Sequence, residues 1–589
     1  MKSRLLYFIL AILGNYCVCE DFKTVQVKLK QGDLSGREEI TLFRKQKYYS
    51  FKGIPYANPP IGELRFKPPV SHNGWENTYE GYTNKPMCVQ FNTRMRMSEP
   101  FGMHGSEDCL YINVFSPNIE GSAPIIVFDY NDNFRTSFNG TETYSPEFFM
   151  EENVVVVTIS YRLEILGYLT TEDDVILGNI GLRDFIMGLQ WVQENIKQLG
   201  GDPNRVTIMG NRGGAIIADI LLHSQKAKNL FSGVIMQSGT ALENIFFKTN
   251  CREKAFKLGE LLNITADNSE TLLRELQKVD VEILYKKVSD VIGNEDHIQM
   301  NVFPFSPVIE NDHPDAILTK FPGESEIIND VPIMIGMNSR EGLDLASMFL
   351  FEPHLITELG HDFLFVFPIH SKHSFEKKSD VYDEAIKEIQ NFYFEEGYFY
   401  YGNLLEYAVY VGDMLQNYAL NVAAKKLAEK SKSPVYYYMF DFRGLLNENI
   451  NYISKNTRFS LKPVGATIAD ELCYLHLCSR MKKTYEELLS LVSEQTEIKV
   501  LKKMVRLWAN FARTRNPTPS EEDGILKKFK WLPINKASNN TNYLHITKTL
   551  NMEVNPLGER EKFWDDFLAK YSKLAKDGVI QDEKKHDEL

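Results

Sequence analysis

The chain has 589 residues, of which 43% are hydrophobic and 25% are charged, a composition typical of a globular protein with a large core. The formal net charge of −13 at pH 7, with no basic stripe, argues against nucleic acid as a partner. We find no linker rich in Pro, Gly or Ser, no low-complexity tract and no internal repeat. We therefore expect one large domain over residues 20–570.

The N-terminal residues have the pattern of a secretory signal peptide. Lys2 and Arg4 precede an apolar run over residues 5–13, and small side chains follow up to Cys19. The alternative, an N-terminal membrane anchor, needs a longer apolar run. We therefore expect residues 1–19 to be removed, and no other stretch of the sequence has the apolar length of a membrane span.

The apolar runs that follow have the length of strands, and segments with helical periodicity separate them. Five of these runs predict buried strands: residues 123–130, 153–162, 205–209, 331–338 and 434–442. The helical pattern between the second and third runs ends at Gly200. This alternation predicts an α/β fold with a large, mostly parallel central sheet flanked by helices.

The third predicted strand leads into Gly210-Asn211-Arg212-Gly213-Gly214. A strand followed by this glycine spacing and a helix is the pattern of a nucleophile elbow, G-x-S-x-G. Here the central position holds arginine instead of serine. A guanidinium group stays protonated and has no lone pair for attack, so it cannot act as the nucleophile.

Six stretches of the chain resemble the type-B carboxylesterases, the family that includes acetylcholinesterase and the cholinesterase-like adhesion proteins. They are FKGIPYANPPIGELRFKPP (51–69), SEDCLYINVFSP (106–117), ISYRLEILGYLTTEDDVILGNIGLRD (159–184), WVQENIKQLGGDPNRVTIMG (191–210), NLFSGVIMQSG (229–239) and WANFARTRNPTP (508–519). The resemblance extends from about Phe22 to Lys570. It implies the α/β-hydrolase fold and, in active members, ester hydrolysis by a Ser-His-acid triad with an oxyanion hole.

The resemblance places the three triad positions at Arg212, Ile468 and Glu341. Isoleucine cannot shuttle a proton, so only the acid remains, and we expect Glu341 to hold its loop through main-chain N–H groups. His476 as a relocated base and Ser238 as a replacement nucleophile are the alternatives. Active relatives have a counterpart of Ser238 beside their usual nucleophile, which favours a structural role for it.

The family's H-G-G-G-F oxyanion loop is also replaced. Asn131, Asp132 and Asn133 occupy the glycine positions, and Gly213 completes the remnant oxyanion loop. Asn can adopt positive φ, so the turn can persist, but a carboxylate at Asp132 opposes a developing negative charge. The acidic spacing suggests a calcium loop, yet the residues six and twelve positions along are not Gly and Glu. We expect no metal and no other cofactor.

The departures from the family pattern at the nucleophile, the base and the oxyanion loop are physically consistent with one another. Arg212 would point into a pocket lined by Asp132 and Glu341, and a buried arginine needs a carboxylate partner. We therefore predict an ion pair from Arg212 to Asp132 or Glu341 that plugs the old site. Gly210 and Gly214 remain because the turn and the packing of helix on strand need them.

Five cysteines remain after the predicted cleavage. The resemblance implies a disulfide between Cys88 and Cys109. The family's second disulfide loop would begin at Cys251, but its partner is absent, which indicates a free or intermolecular thiol. Cys473 and Cys478 are five residues apart on one expected helix, on different faces, so we expect them to be unpaired.

Sequons at Asn139, Asn263 and Asn539 predict glycosylation in the secretory pathway. The family's usual dimer interface could use the C-terminal helix EREKFWDDFLAKYSKLA, which makes a homodimer an open alternative.

The chain ends in His586-Asp587-Glu588-Leu589, which matches an ER-retrieval signal. A chance charged tail is the alternative explanation. The polar stretch over residues 571–589 fits a retrieval peptide, which must be exposed. We therefore expect a protein of the ER lumen with the retrieval receptor as one partner.

Together these features predict a non-catalytic esterase-like protein of the ER lumen. It would act by binding a luminal partner protein, or an apolar small molecule in the remnant gorge. The alternative is an ER-lumenal carboxylic ester hydrolase with an unrecognised nucleophile. A storage or structural glycoprotein is a third interpretation without distinctive support.

Overall fold

The computed structural model describes residues 22–91, 102–137, 143–247, 250–292, 303–351, 363–376, 379–456 and 464–581. The predicted signal peptide, the Asn139 sequon and the C-terminal tetrapeptide lie outside these residues.

A fourteen-stranded mixed sheet forms the centre of the described chain. Its main strands are β1 (Thr24–Leu29), β2 (Gly32–Ile40), β3 (Lys47–Pro55), β4 (Tyr111–Ser116), β5 (Ala123–Asp132), β6 (Val155–Ile159), β7 (Gly201–Arg212), β8 (Gly233–Gln237), β9 (Ile333–Asn338), β10 (Val435–Phe440), β11 (Asn542–Ile546) and β12 (Leu550–Val554). Their spatial order is β1-β2-β3-β4-β6-β5-β7-β8-β9-β10-β11-β12. From β6 to β11 all neighbours are parallel, which confirms the predicted α/β sheet.

Two-residue strands extend this sheet or form small separate sheets. Tyr79–Glu80 pairs with β2, and Thr136–Ser137 pairs with β5. The small sheets are Gln90–Phe91 with Met103–His104, Tyr144–Ser145 with Leu477–Cys478, and Ser374–Phe375 with Val579–Ile580 and Ala575–Lys576.

Helices cover both faces of the large sheet. The α-helices are α1 (Glu147–Glu151), α2 (Glu164–Tyr168), α3 (Ile180–Asn195), α4 (Gly213–Leu222), α5 (Cys251–Leu261), α6 (Ser269–Leu276), α7 (Val281–Val288), α8 (Leu343–Phe351), α9 (Asp380–Tyr393), α10 (Leu404–Gly412), α11 (Tyr418–Lys430), α12 (Glu448–Asn456), α13 (Lys482–Ser490), α14 (Thr496–Thr514) and α15 (Glu559–Lys573). A π-helical turn, Asp413–Asn417, joins α10 to α11.

Alternate residues of the central strands enter two different cores. On β5, Ile125 and Val127 pack into one core, whereas Ile126 and Phe128 pack into the other. Helices α3, α4 and α11 contribute to the first core, and α14 contributes to the second. Because both faces are covered, the middle residues of the central strands are apolar on both sides, which is why continuous apolar runs marked them in the sequence.

The carboxyl ends of the parallel strands collect polar residues at one edge of the sheet. There β5 ends at Asp132, β7 at Arg212, β8 at Gln237 and β9 at Asn338. In open α/β sheets this edge is where ligands bind. The predicted site residues on these strands therefore share one location.

Two disulfides are present, one expected and one not. Cys88 and Cys109 are bonded, as predicted. The expectation that Cys473 and Cys478 are unpaired is wrong, because they form a disulfide with Cα atoms 5.3 Å apart. The two residues do not share one helix: a 3₁₀ helix ends at Tyr474 and Cys478 lies on a short strand. Cys251 is buried and forms no disulfide within the described chain.

The folded chain extends beyond the predicted boundary at residue 570. Helix α15 ends at Lys573, and its Tyr571 is buried. The following hairpin places the buried Ile580 against Ser374–Phe375. The expectation of an exposed tail from residue 571 is therefore wrong as far as Ile580, because apolar residues in this charged stretch pack into the first core.

The structure also bears on the predicted sequons, on helix α15 and on membrane spans. Asn263 and Asn539 are exposed, as glycan acceptors must be. The apolar residues Trp564 and Phe567 of α15 are buried within the chain. In the part of the chain that the structure describes, no helix combines the length and apolar character needed to cross a membrane.

Candidate functional site

The elbow, residues 210–214, joins β7 to α4. Arg212 ends the strand with φ 57° and ψ −120°, a backbone conformation that costs a residue with a side chain about 1–3 kcal/mol. A Cβ on Gly210 would lie 2.1 Å from the carbonyl carbon of Gly214, and a Cβ on Gly214 would lie 2.6 Å from the main-chain oxygen of Asp129. The glycines are thus required by packing, as predicted, whichever residue occupies the centre of the elbow.

The Arg212 guanidinium is held at the carboxyl edge of the sheet. Its Nη1 donates a hydrogen bond to Oε1 of Gln416, and its Nη2 donates to Oδ1 of Asn133 at 3.4 Å. Nη2 lies 3.7 Å from Oδ1 of Asp132, so the predicted ion pair is formed with Asp132. The buried Nε has no hydrogen-bond partner among the described residues.

The charges around Arg212 favour its protonated form. Burial lowers the pKa of the guanidinium, but the carboxyls of Asp132, Glu243 and Glu341 leave it raised overall. Burial raises the pKa of Glu243 to about 8, although Arg212 opposes this shift. Arg212 is therefore cationic at pH 7, and the Glu243 carboxyl beside it binds a proton more readily than an exposed glutamate does.

Glu341 is buried behind the elbow. Its Oε1 accepts hydrogen bonds from Ser238 Oγ at 2.5 Å and from the main-chain N–H of Asn338 at 2.7 Å. Burial raises the pKa of the Glu341 carboxyl, although these donors partly offset the shift. Glu341 thus holds its own loop, as expected, and it also fixes the Ser238 hydroxyl, which matches the structural role favoured for that serine.

Residues 464–478, which we call the base loop, contain Ile468, at the position where the resemblance places the catalytic base, and His476, the alternative base. Ile468 is half-buried and packs against the second core. The ring of His476 lies 4.2 Å from the ring of Phe128, between Phe149 and Tyr144. Neither ring nitrogen has a hydrogen-bond partner in the described chain, and burial lowers the His476 pKa to about 3. In the described chain His476 therefore lacks the carboxylate partner that orients a catalytic histidine.

The remnant oxyanion loop keeps a tight turn without glycine. Asn133 and Phe134 both have positive φ, 53° and 61°, so the asparagine adopts the conformation expected of it. Asn131 Oδ1 accepts a hydrogen bond from the Phe134 N–H at 2.9 Å. A Cβ on Gly213 would lie only 1.7 Å from this Oδ1. The Asn131 side chain therefore occupies the space beside the residue that follows the nucleophile position.

A second buried carboxyl links the base loop to the elbow. Glu471 Oε1 accepts from Asn211 Nδ2 at 2.8 Å, and its Oε2 accepts from Asn338 Nδ2 at 2.7 Å. Burial, reinforced by the nearby Glu341 carboxyl, raises the pKa of Glu471 to about 8. Asn211 precedes Arg212, so this hydrogen bond sets the base loop directly against the elbow.

Comparison with known proteins identifies the family. The family model described as "Carboxylesterase family" matches residues 23–564. The chain belongs to the carboxylesterase family. Esterase B1 from Culex pipiens is 31% identical, over 77% of this chain and 83% of that protein. Venom carboxylesterase-6 from Apis mellifera is 28% identical, over 90% of this chain and 91% of that protein.

A solved structure confirms the fold. Juvenile hormone esterase from Manduca sexta, crystallised with OTFP covalently attached, is similar with a TM-score of 0.75 and 24% identity, over 93% of this chain and all of that one. This carboxylesterase-family chain thus has the α/β-hydrolase fold, as the sequence predicted.

Three residues of the site were not singled out from the sequence of this carboxylesterase-family member. Glu471 lies in the ADEL segment that marked the base position, so the motif contained the signal. Glu243 follows the QSG segment but has no distinguishing pattern. Gln416 lies on the π-helical turn, more than 200 residues from Arg212, and no local feature of the sequence connects the two. π-Helical turns are frequent at functional sites.

Proposed function

We propose that this carboxylesterase-family protein is non-catalytic and acts by binding, either an apolar small molecule in the remnant of the active site or a luminal partner protein. The observation that carries the proposal is Arg212 at the tip of an intact elbow. The backbone there presents a side chain as it would present a nucleophile, and the side chain presented is a paired cation.

The loss of chemistry affects every part of the hydrolytic machinery. Position 468 is an isoleucine, Glu341 is engaged by Ser238 and Asn338, and Asn131 fills the space beside Gly213. Removal of one triad member costs about 10⁴–10⁶ in kcat, and the activity left comes from the oxyanion hole and substrate binding. With the oxyanion loop altered as well, no residual activity is expected.

The alternative is that the protein is an ester hydrolase with a different nucleophile. The esterase names of the relatives of this chain favour this alternative. A Ser-His-Asp grouping does exist: Ser325 Oγ lies 2.9 Å from His223 Nδ1, and His223 Nε2 lies 3.8 Å from Asp219 Oδ1. However, the same Nδ1 lies 2.9 Å from the main-chain oxygen of Glu326. A carbonyl there requires a protonated Nδ1, which cannot accept the serine proton. The adjacent cavity of about 20 Å³ has room for a single water.

The proposed location is the ER lumen, supported by the sequence at both ends. Expression in cultured secretory cells tests it: the full chain should remain in cells, and deletion of residues 586–589 should release the protein into the medium. Secretion of both forms alike would contradict retention through the receptor. A homodimer through α15 stays a prediction. The apolar side of that helix packs within the chain, so such a dimer would have to use its charged outer face.

The experiment that tests the absence of catalysis has two arms. Purified mature protein is incubated with p-nitrophenyl esters of several chain lengths and, separately, with a fluorescent organophosphonate that labels activated serines. We expect neither turnover nor labelling. Turnover with labelling that is lost on heating would mean that an active serine exists. Ser238→Ala and Ser325→Ala variants would then show which of the two serines carries it.

A further inference from the structure

We propose that Arg212 makes the remnant site a receptor for the carboxylate of an apolar acid, the kind of molecule that ester hydrolysis would release. The inference rests on the proposed binding function and gives it a ligand class. In this view the elbow holds a cation where an active relative holds its nucleophile, and an acid head group occupies the place of the ester carbonyl.

The position of Arg212 suits an anion. It is the N-cap residue of α4, a helix of ten residues, and the N-terminus of a helix favours negative charge. Its side chain is 13% exposed, although its Nε is buried.

The guanidinium has unused capacity for a carboxylate. Its hydrogen bonds to Gln416 and Asn133 use one N–H on each terminal nitrogen, whereas Nε has no partner in the described chain. The Asp132 carboxylate is 3.7 Å away, longer than the 2.7–2.9 Å of a charge-assisted hydrogen bond. The edge formed by Nε and Nη2 therefore lacks the bidentate carboxylate partner that arginine commonly has.

A second donor beside Arg212 is also without an acceptor. Gln416 accepts from Arg212 through Oε1, and this orients its amide, but its buried Nε2 has no partner within the described residues. Gln416 is only 2% exposed. A buried donor without an acceptor costs about 1–3 kcal/mol. A ligand carboxylate on the Nε–Nη2 edge would satisfy Nε, while Gln416 on Nη1 fixes the orientation of the guanidinium.

The charges and the apolar surface of the site select an acid with a hydrocarbon chain. The competing carboxyl of Asp132 is 39% exposed, so it can turn to water, and burial raises the pKa of Glu243. Glu471 ties the base loop to the elbow. Ile468 of that loop is half-buried and apolar. The head group would therefore bind Arg212 and the chain would contact the base loop.

The test compares an acid with its own ester. Binding of octanoate and of methyl octanoate to the purified mature protein is measured by titration calorimetry, with recovery of the ester checked by gas chromatography. We expect octanoate to bind at least about tenfold more tightly than its ester, because a charged hydrogen-bonded contact is lost in the ester. Arg212→Gln should remove this preference, and Asp132→Asn should strengthen octanoate binding. Lys562→Gln, which removes an exposed charge elsewhere, should change nothing.

The outcomes separate this inference from the proposed function. Equal affinity for octanoate and its ester, or a preference for the acid that survives Arg212→Gln, would overturn the carboxylate receptor and leave an apolar-ligand site. Binding of neither compound would also overturn it, while a protein partner would remain. Conversion of the ester into octanoate and methanol would overturn the non-catalytic function itself. If Arg212→Gln does not fold, Asp132→Asn decides: weaker or unchanged octanoate binding would contradict the inference.

Discussion

The elbow and the base loop touch through the Asn211–Glu471 hydrogen bond, but they hold their shapes by different means. In the elbow the backbone segments pack so closely that neither Gly210 nor Gly214 has room for a Cβ. In the base loop, hydrogen bonds from a side chain and a disulfide hold the backbone. The Asp470 carboxyl accepts hydrogen bonds from the main-chain N–H of Thr467 in the loop and from that of Asn449 on α12, and a disulfide closes the residues that follow.

The difference shows how the fold can keep its shape whichever residues occupy the catalytic positions of the family. None of the interactions that shape either region involves a nucleophilic serine or a catalytic histidine. The close contacts of Gly210 and Gly214 involve Ala215 and Asp129 and not the side chain of Arg212. Ile468 lies in a loop whose backbone is held by Asp470, a neighbour two residues away. The catalytic positions can therefore vary without loss of the architecture, and the following predictions test each half of this comparison.

The largest effect is expected in the elbow. Gly210→Ala would place a methyl group 2.1 Å from the carbonyl carbon of Gly214, and rigid backbone cannot move aside. We expect a loss of about 3 kcal/mol or more in the free energy of unfolding, measured by urea denaturation. Gly524→Ala is the matched control, because no atom lies within 4 Å of its added Cβ. Similar stability of the two variants would show that the elbow is not packed as described.

In the base loop the corresponding element is the Cys473–Cys478 disulfide. Replacement of both cysteines by serine should lower the free energy of unfolding by about 2 kcal/mol, the entropy of closing so short a loop. The measurement is urea denaturation under non-reducing conditions. Peptide mapping of the native protein provides the check on the bond. If both thiols were alkylated without prior reduction, the bridge would not exist in the protein.

A smaller effect is expected from the contact between Gly213 of the elbow and Asn131 of the remnant oxyanion loop. Gly213→Ala would place a methyl group against Asn131 Oδ1, a side chain that can move at the cost of its hydrogen bond to the Phe134 N–H. Asn131→Gly removes the obstacle. We expect the double variant to be more stable than the sum of the two single changes predicts, by about 1.5 kcal/mol. Simple additivity in a double-mutant cycle would contradict the contact.

The sequence predicted the features that depend on local pattern and missed those that depend on distant contacts. The strand expected over residues 205–209 is the centre of β7, and the elbow follows where the glycines placed it. The Cys473–Cys478 bond was missed because a helix was assumed across a segment where the chain turns. Gln416 was missed because its contact with Arg212 depends on how α10 and α11 pack against the sheet, which no local pattern encodes. Ile580 was assigned to an exposed tail because the charged residues around it outnumber the apolar ones.

The smallest effect tests whether the base loop still contains a usable proton acceptor. The folded-state pKa of His476 is about 3, against 6.5 for an unperturbed histidine. Below pH 6.5 the unfolded chain therefore binds a proton that the folded chain does not, so the contribution of His476 to stability falls as pH decreases from about 6.5 towards 3. His476→Phe removes this loss. The free energy of unfolding of His476→Phe, relative to that of the native protein, should therefore be about 1 kcal/mol higher at pH 5.5 than at pH 7.5. Urea denaturation of both proteins at the two pH values measures it. Buried carboxyls with raised pKa, such as Glu471, titrate in both proteins and cancel in the comparison. A difference that does not depend on pH would show that the His476 pKa is not lowered, and the apolar environment described for its imidazole would then be wrong.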